Sequence, residues 1–227
     1  MNSLDGFKFS ETMPELTSSK FKNFYDHTIA SMNCSDPGIL NSDLSYRVKT
    51  VLFGAKRALG IRGDFIDFGV WHGTLPYFIN SLYNLELSGK RHYLFDTWGE
   101  NWQKHDDPAL KLGKIRYNID IYSEVQTRFS KFPAVKLIRG VLPDSAYDII
   151  TRSSAISFVS IDVNSNSIEL ELLCMVWDRL SPGGMIYLDD YGFRKYPKIP
   201  VFVQKFLQNK SEDIFELPNG TAFIIKS

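Results

Sequence analysis

Cysteine is scarce in this chain of 227 residues: Cys34 and Cys174 are the only two, and they lie far apart. A disulfide framework and a metal knuckle of closely spaced thiols are both excluded. The two cysteines are expected as small apolar core residues in a reducing compartment. Net charge is missing as well. Lys plus Arg total 26 and Asp plus Glu total 26, so no surplus of cations can neutralise a row of phosphates, and DNA and RNA drop out as main partners. No window approaches the ~20 apolar residues that span a bilayer. Met1 to Lys20 is polar with no continuous apolar stretch, so neither a signal peptide nor a membrane partner is expected, and a cytoplasmic location follows. There is no internal repeat and no low-complexity tract. At 44% hydrophobic and 23% charged residues, the chain has the composition of a soluble globular domain long enough to bury a core without staples.

Residues 1–45 are polar and punctuated by Pro14, Pro37 and Gly38, with one short amphipathic stretch around Phe21–Ile29. They read as a loosely attached helical arm, compatible with a homodimer. From Tyr46 the texture changes. Val48, Val51, Leu52, Ala55 and Leu59 recur at helical spacing, with Gly60 placed to end that helix. Short apolar runs follow at 64–69, 91–96, 135–140, 155–162 and 184–190, bounded by turn residues and read as strands. Helical patterns lie between them at Leu75–Leu85, Asp120–Phe129 and Ile168–Leu180, the last with Asn166 and Glu169 spaced as a cap. Strands alternating with helices argue for a parallel sheet covered on both faces. The chain closes differently: Ile214–Leu217 and Thr221–Lys226 flank Pro218-Asn219-Gly220, a hairpin signal. Residues 99–119 have weak periodicity and many polar groups, and are expected as a lid; Lys195–Lys198 is expected as a solvated loop.

In an open parallel sheet, ligands bind beyond the carboxyl ends of the strands near the switch point. Four of the five strands end in aspartate: Asp67, Asp96, Asp162 and the pair Asp189-Asp190. Carboxylates gathered on one rim repel one another unless something cationic sits among them. The first strand runs into Asp67-Phe68-Gly69-Val70-Trp71-His72-Gly73, where the glycines permit either close approach of a ligand or an ordinary tight turn. The middle glycine of a G-x-G-x-x-G dinucleotide loop is missing. Asp96 is placed either to accept both hydroxyls of a ribose or to cap a turn. At the far end of the rim the pleat stops, so Asp189 and Asp190 can turn toward one centre with Asp162. Three such oxygen donors suit Mg2+ or another hard divalent ion; the alternative is that one caps a helix and another pairs with Lys or Arg. A divalent ion beside a nucleoside cofactor would lower the pKa of a substrate hydroxyl and orient it for group transfer.

The segments Gly63–Val70, Tyr93–Thr97, Leu137–Asp144 and Ser160–Asn164 lead in order to Leu180-Ser181-Pro182-Gly183-Gly184-Met185-Ile186-Tyr187-Leu188-Asp189-Asp190-Tyr191-Gly192. This series resembles the macrocin O-methyltransferase family, from about Tyr46 to the C-terminus. The resemblance implies a Rossmann-like class I methyltransferase fold: a mostly parallel seven-stranded sheet, an antiparallel C-terminal strand, and helices on both faces. Residues 46–227 would form that domain. It further implies S-adenosylmethionine as methyl donor and a small hydroxylated acceptor, a sugar of a glycan, nucleotide-sugar or secondary metabolite. Asp67 would hold the methionine ammonium near Gly69 and Gly73. Asp96 and Thr97 would sit at the ribose, the turn at Gly140 would flank the adenine, and Asp162 would border the cofactor. Mg2+ would be held by Asp162, Asp189 and Asp190.

Sugar-methylating members of the family carry a carboxylate two residues after the first metal ligand, proposed as general base; here that position is Asn164, whose amide takes no proton at neutral pH. The catalytic candidates are then Asp162, Asn164 as a donor or amide-oxygen metal ligand, and the imidazoles of His72 and His105. Trp98, Trp102, Tyr117 and Tyr122 either line a sugar surface or pack the lid, and Tyr191 either orients a ligand or packs. Two further classes stay open from these residues: a nicotinamide-dependent oxidoreductase, and a protein that keeps the cofactor pocket without chemistry.

Overall fold

Seven strands join into one sheet in the computed structural model of the chain, which describes residues 2–4, 7–9, 13–99, 120–194 and 196–227. The chain opens with an antiparallel hairpin, β1 (Asn2–Leu4) and β2 (Phe7–Phe9), then the helices α1 (Pro14–Thr17), α2 (Ser19–Met32) and α3 (Pro37–Leu40). There follow α4 (Ser45–Ala58), β3 (Asp64–Phe68), α5 (Thr74–Leu82), β4 (His92–Asp96), α6 (Tyr122–Phe129), β5 (Val135–Arg139) and α7 (Asp144–Arg152). The last elements are β6 (Ile156–Ile161), α8 (Asn166–Trp177), β7 (Leu180–Leu188), α9 (Ile199–Leu207), β8 (Ile214–Glu216) and β9 (Ala222–Ile225). The sheet order is β5-β4-β3-β6-β7-β9-β8. Strands β3 to β7 are parallel, and β9 runs antiparallel between β7 and β8.

Every residue of β6 is buried, because helices cover both faces of the central sheet and leave no polar side to alternate with. On one face Ile66, Phe68, Val159, Ile161 and Ile186 pack against Ile168, Leu172 and Val176 of α8 and Ile199 and Val203 of α9. On the other, Phe65, Phe158 and Tyr187 meet Val48, Val51, Leu52 and Ala55 of α4. Successive strand residues point to opposite faces, so Asp67, Ser160 and Tyr187, which are register partners across β3, β6 and β7, share the α4 face. The order reverses at the β3–β6 boundary. That boundary is the switch point, and its carboxyl edge is where a ligand crevice belongs.

The expected arm is neither wholly helical nor loose. It begins with the β1–β2 hairpin, and its helices bury Leu16 and Phe21 against α4 and the sheet, while Met32 joins Val70, Leu94, Trp98 and Val125 in a third cluster. Helices α7 and α9 were not expected. The first is short, and its buried stripe is only Ala146 and Ile150; the second begins Ile-Pro-Val-Phe-Val, a composition that suits a strand as well as a helix. Ser165, not Asn166, is the N-cap of α8; Asn166 lies inside the helix, and its Oδ1 accepts from the Lys198 amide at 3.2 Å. Cys34 is buried as expected, but Cys174 is exposed. Tyr196, within the segment expected as a solvated loop, is buried among Ile199 and the α8 side chains. The expected lid, apart from Gly99, lies outside the described residues, as do His105, Trp102 and Tyr117. Among the described residues, no helix is long and apolar enough to cross a membrane.

Candidate active site

Backbone bonds one residue past each strand stitch the rim together. The Asp162 amide donates to Phe68 O at 2.9 Å, and the Asp189 amide to Ile161 O at 3.0 Å. The Gly69 amide donates to Phe95 O at 2.9 Å, and the Gly140 amide to Asp96 O at 3.0 Å. β7 stops at Leu188, so the pleat no longer forces Asp189 and Asp190 apart. Carboxylate oxygens of Asp162, Asp189 and Asp190 all lie within 4.8 Å of one another. Burial, and then the charges of Asp189 and Asp190, hold the Asp162 carboxyl well above the ordinary carboxylate range. Two groups from the α4 face address Asp189: the Arg47 guanidinium forms an ion pair with Oδ2, and the Tyr187 hydroxyl donates to Oδ1 at 2.8 Å. Nothing local in the sequence announces for Arg47 a partner 142 residues away. The donor set is three hard oxygens, with Arg47 paired to one of them, which fits a divalent cation.

Asp67 is buried, and neither carboxylate oxygen makes a hydrogen bond. Its one close neighbour of opposite tendency is His92, whose Nε2 lies 3.3 Å from Oδ2 without hydrogen-bond alignment. Asn80 sets that ring: its Nδ2 donates to Pro76 O at 2.7 Å and lies 2.8 Å from His92 Nδ1, so Nδ1 accepts and Nε2 carries the proton toward Asp67. A buried anion with spare acceptor capacity at the β3 edge fits an ammonium group.

The two glycines have a reason other than ligand approach. A Cβ on Gly69 would stand 1.8 Å from Asp162 O, and one on Gly73 would stand 2.5 Å from the Phe129 ring; both residues have positive φ. They let β3 run close to β6 and let α5 begin against α6. Asp96 likewise works on the protein itself. Its Oδ2 accepts from the Val70 and Trp71 amides, both at 2.7 Å, and its Oδ1 from the Trp98 amide at 2.8 Å. Each carboxylate oxygen takes about two donors, and the second donor to Oδ1 is the Thr97 hydroxyl at 3.5 Å, a contact long enough for a ligand hydroxyl to replace. Thr97 follows directly, and Arg139 Nε donates to its carbonyl at 3.2 Å. Gly140 faces Ser145, where a Cβ would meet another Cβ at 2.7 Å.

The structure separates His72 from the chemistry proposed for it. The imidazole is 3% exposed, with Nδ1 at 3.1 Å from Glu124 and Nε2 at 3.9 Å from Asp36; burial lowers its pKa. Its charged neighbours are Glu124, Arg128 and Asp36, not the aspartate trio. Cys34, His72 and Glu124 do bring three ligand atoms within 4.8 Å of one another, but the Arg128 guanidinium already pairs with Glu124. That arginine also donates to Met32 O at 2.7 Å, His72 O at 2.7 Å and Asn33 O at 3.2 Å. The group is a latch between the arm, α6 and the turn after β3. Burial raises the Glu124 pKa, but the Ser35 hydroxyl and Arg128 outweigh it and bring the group to about 2.

Asn164 does lie beside the trio, in the left-handed region at φ 56°. Its Nδ2 donates to Asp162 Oδ1 at 3.1 Å, and its Oδ1 accepts from the Tyr196 hydroxyl at 2.6 Å. The amide nitrogen therefore faces the trio and the amide oxygen faces Tyr196. Trp98 offers no sugar surface: it is fully buried, with Nε1 donating to Trp71 O at 2.8 Å, and Tyr122 packs on it at 5.1 Å between ring centres. Tyr191 is buried in the core beside α8.

Residues 49–223 match the macrocin-O-methyltransferase (TylF) family. Comparison with curated protein sequences yields no match. Among solved structures, the O-methyltransferase NovP superposes with a TM-score of 0.69 at 13% identity, covering 91% of this chain and 99% of NovP. Apo CalS11, described as a TDP-rhamnose 3'-O-methyltransferase of calicheamicin biosynthesis, gives 0.60 at 14% identity, covering 92% and 95%. The S-adenosylhomocysteine-bound methyltransferase PaMTH1 of Podospora anserina gives 0.62 at 12% identity over the whole of both chains. At such identities these neighbours establish the class I methyltransferase fold, while the family match covers most of the sequence. It displaces the nicotinamide alternative: the chain belongs to the macrocin O-methyltransferase family and is an S-adenosylmethionine-dependent O-methyltransferase.

Proposed function

We propose that this enzyme methylates a hydroxyl of a sugar-containing small molecule, with a divalent cation such as Mg2+ held by Asp162, Asp189 and Asp190. The observation that carries the reading is the meeting of three carboxylates from two adjacent strand ends within 4.8 Å, next to the switch point. The sugar is favoured by kinship, since CalS11 is described as acting on TDP-rhamnose. Asp67 is assigned the methionine ammonium, and Asp96, by exchanging the long Thr97 contact at Oδ1, the ribose. Thr97 and Gly140 border the nucleoside.

Bound S-adenosylmethionine would supply an electrophilic methyl group, its sulfonium becoming a neutral thioether as the acceptor oxygen takes the methyl, and the hydroxyl proton would pass to solvent water. A bound divalent cation supplies Lewis acidity that makes the hydroxyl easier to deprotonate. Neither His72 nor Asn164 takes the proton, the first because it is buried in the latch and the second because an amide has no basic site. Asn164 instead fixes Asp162, whose Oδ1 it holds through an N–H. Tyr187 and Arg47 do the same for Asp189. Much of the acceleration then rests on orientation of the two reactants.

The test is calorimetry with S-adenosylhomocysteine, followed by turnover on a panel of nucleotide-sugars and glycosides with Mg2+ or EDTA. Binding of the thioether product, and a loss of roughly 100-fold or more in EDTA and in Asp189→Asn, are expected. Full activity in EDTA would show that the trio is structural. Failure to bind S-adenosylhomocysteine would remove the cofactor assignments.

A further inference from the structure

His92 opens β4 with its side chain in the core. The imidazole is wholly buried, and Phe65, its register partner on β3, meets it edge-on at 5.7 Å between ring centres. Asp67 lies two residues beyond Phe65 on the same strand and so shares that face of the sheet. His92 Nε2 comes to 3.3 Å from Asp67 Oδ2. Three polar atoms meet here, both Asp67 carboxylate oxygens and Nε2, and all three are buried without a hydrogen bond.

An apolar residue in place of His92 would fill the core and strand no donor. Buried polar groups are ordinarily paired, so three left over at one contact need a reason. Packing would not set the tautomer of the ring either. Asn80, on α5, anchors on Pro76 O at 2.7 Å and lies 2.8 Å from His92 Nδ1. That contact makes Nδ1 the acceptor and leaves the N–H on the atom facing Asp67. A line of polar contacts thus runs from the backbone of α5 through Asn80 and His92 to one oxygen of Asp67. Its last step is within reach but out of alignment, and a modest turn of the carboxylate closes it.

Resting on the assignment of Asp67 to the methionine ammonium, we infer that His92 is a positioning residue for the cofactor. Its Nε2–H holds Oδ2 of Asp67, so that Oδ1 is the oxygen presented to the ammonium. Cofactor binding then satisfies all three orphaned atoms together, one oxygen from the ring and the other from the ligand.

The experiment is calorimetry of the full-length enzyme with two probes. One is S-adenosylhomocysteine; the other is 5'-methylthioadenosine, which keeps the adenosine and the thioether but has no amino acid. Wild type is compared with His92→Phe, His92→Gln and Asp67→Asn. His92→Phe should weaken S-adenosylhomocysteine by about tenfold, the order expected for a hydrogen bond to a charged group, and leave 5'-methylthioadenosine within about twofold of wild type. His92→Gln, whose Nε2 stands in for that of the ring, should recover most of the loss. A merely structural histidine would weaken both probes alike or neither. Either result would overturn the inference, while a selective loss in Asp67→Asn would leave the ammonium assignment standing. No selective loss in Asp67→Asn would overturn both. Should the phenylalanine variant not fold, Asn80→Leu, which releases the ring tautomer, is judged by the same comparison of probes.

Discussion

Gly69→Ala is the sharpest test of how the rim is built. The residue has φ +77°, and an added Cβ would lie 1.8 Å from Asp162 O and 2.6 Å from its carbonyl carbon. Both contacts are backbone, so no rotamer change relieves them. The left-handed conformation costs alanine roughly 1–2 kcal/mol, and overpacking against a fixed carbonyl adds about 2–3 kcal/mol. For a chain of 227 residues, about 1 kcal/mol moves the melting temperature by roughly 2 °C. The expected fall is therefore about 6–10 °C. Gly89 is the matched control: it has φ +67° and nothing within 4 Å of its added Cβ, so Gly89→Ala should fall only about 2–4 °C. Calorimetric melting of the three proteins in EDTA decides the matter. Because the clash pushes on Asp162 directly, Gly69→Ala should also lose methyl-transfer activity, and Gly89→Ala should not. Equal melting of the two variants would refute the claim that this glycine exists to let β3 and β6 close.

Replacing Arg128 by methionine strips donors from three backbone carbonyls and leaves Glu124 without its guanidinium. A loss of about 3–5 kcal/mol is expected, as for breaking a buried ion pair, with faster hydrogen exchange confined to residues 19–36 and the turn at 70–73; unchanged exchange there would show that the latch holds nothing. His72 gives a pH signature. Burial lowers its folded pKa beneath the ordinary 6.5, so its contribution is complete above pH 6.5 and is lost as pH falls below that value, because the unfolded chain takes up a proton that the folded imidazole refuses. Urea midpoints at pH 7.5 and 5.5 should therefore differ less in His72→Asn than in wild type, and an unchanged difference would place the ring elsewhere.

The alternating plan of the domain was legible because apolar runs and turn residues are local signals, and the strands at 64–68, 92–96, 135–139 and 156–161 fall within the runs that marked them. The aspartate convergence was legible for a different reason: strand ends in a parallel sheet share an edge whatever their separation in sequence. What could not be read is what reaches that edge from the helices. Arg47 carries no pattern of its own, and Tyr196 reaches Asn164 across 32 residues. The glycines after β3 stayed open between two readings for a physical reason, since a tight turn and a ligand cradle ask for the same residue. Trp98 was open in the same way: an aromatic residue near a site stacks on a ligand or fills a core, and only packing distinguishes the two.

The posture of Asn164 has a consequence for engineering. Spread between Asp162 and Tyr196, the side chain must donate on one side and accept on the other. An acid in its place accepts on both, so it would meet Asp162 anion to anion. Installing a general base at this position is thus no single-letter repair; the new charge would need a compensating change nearby.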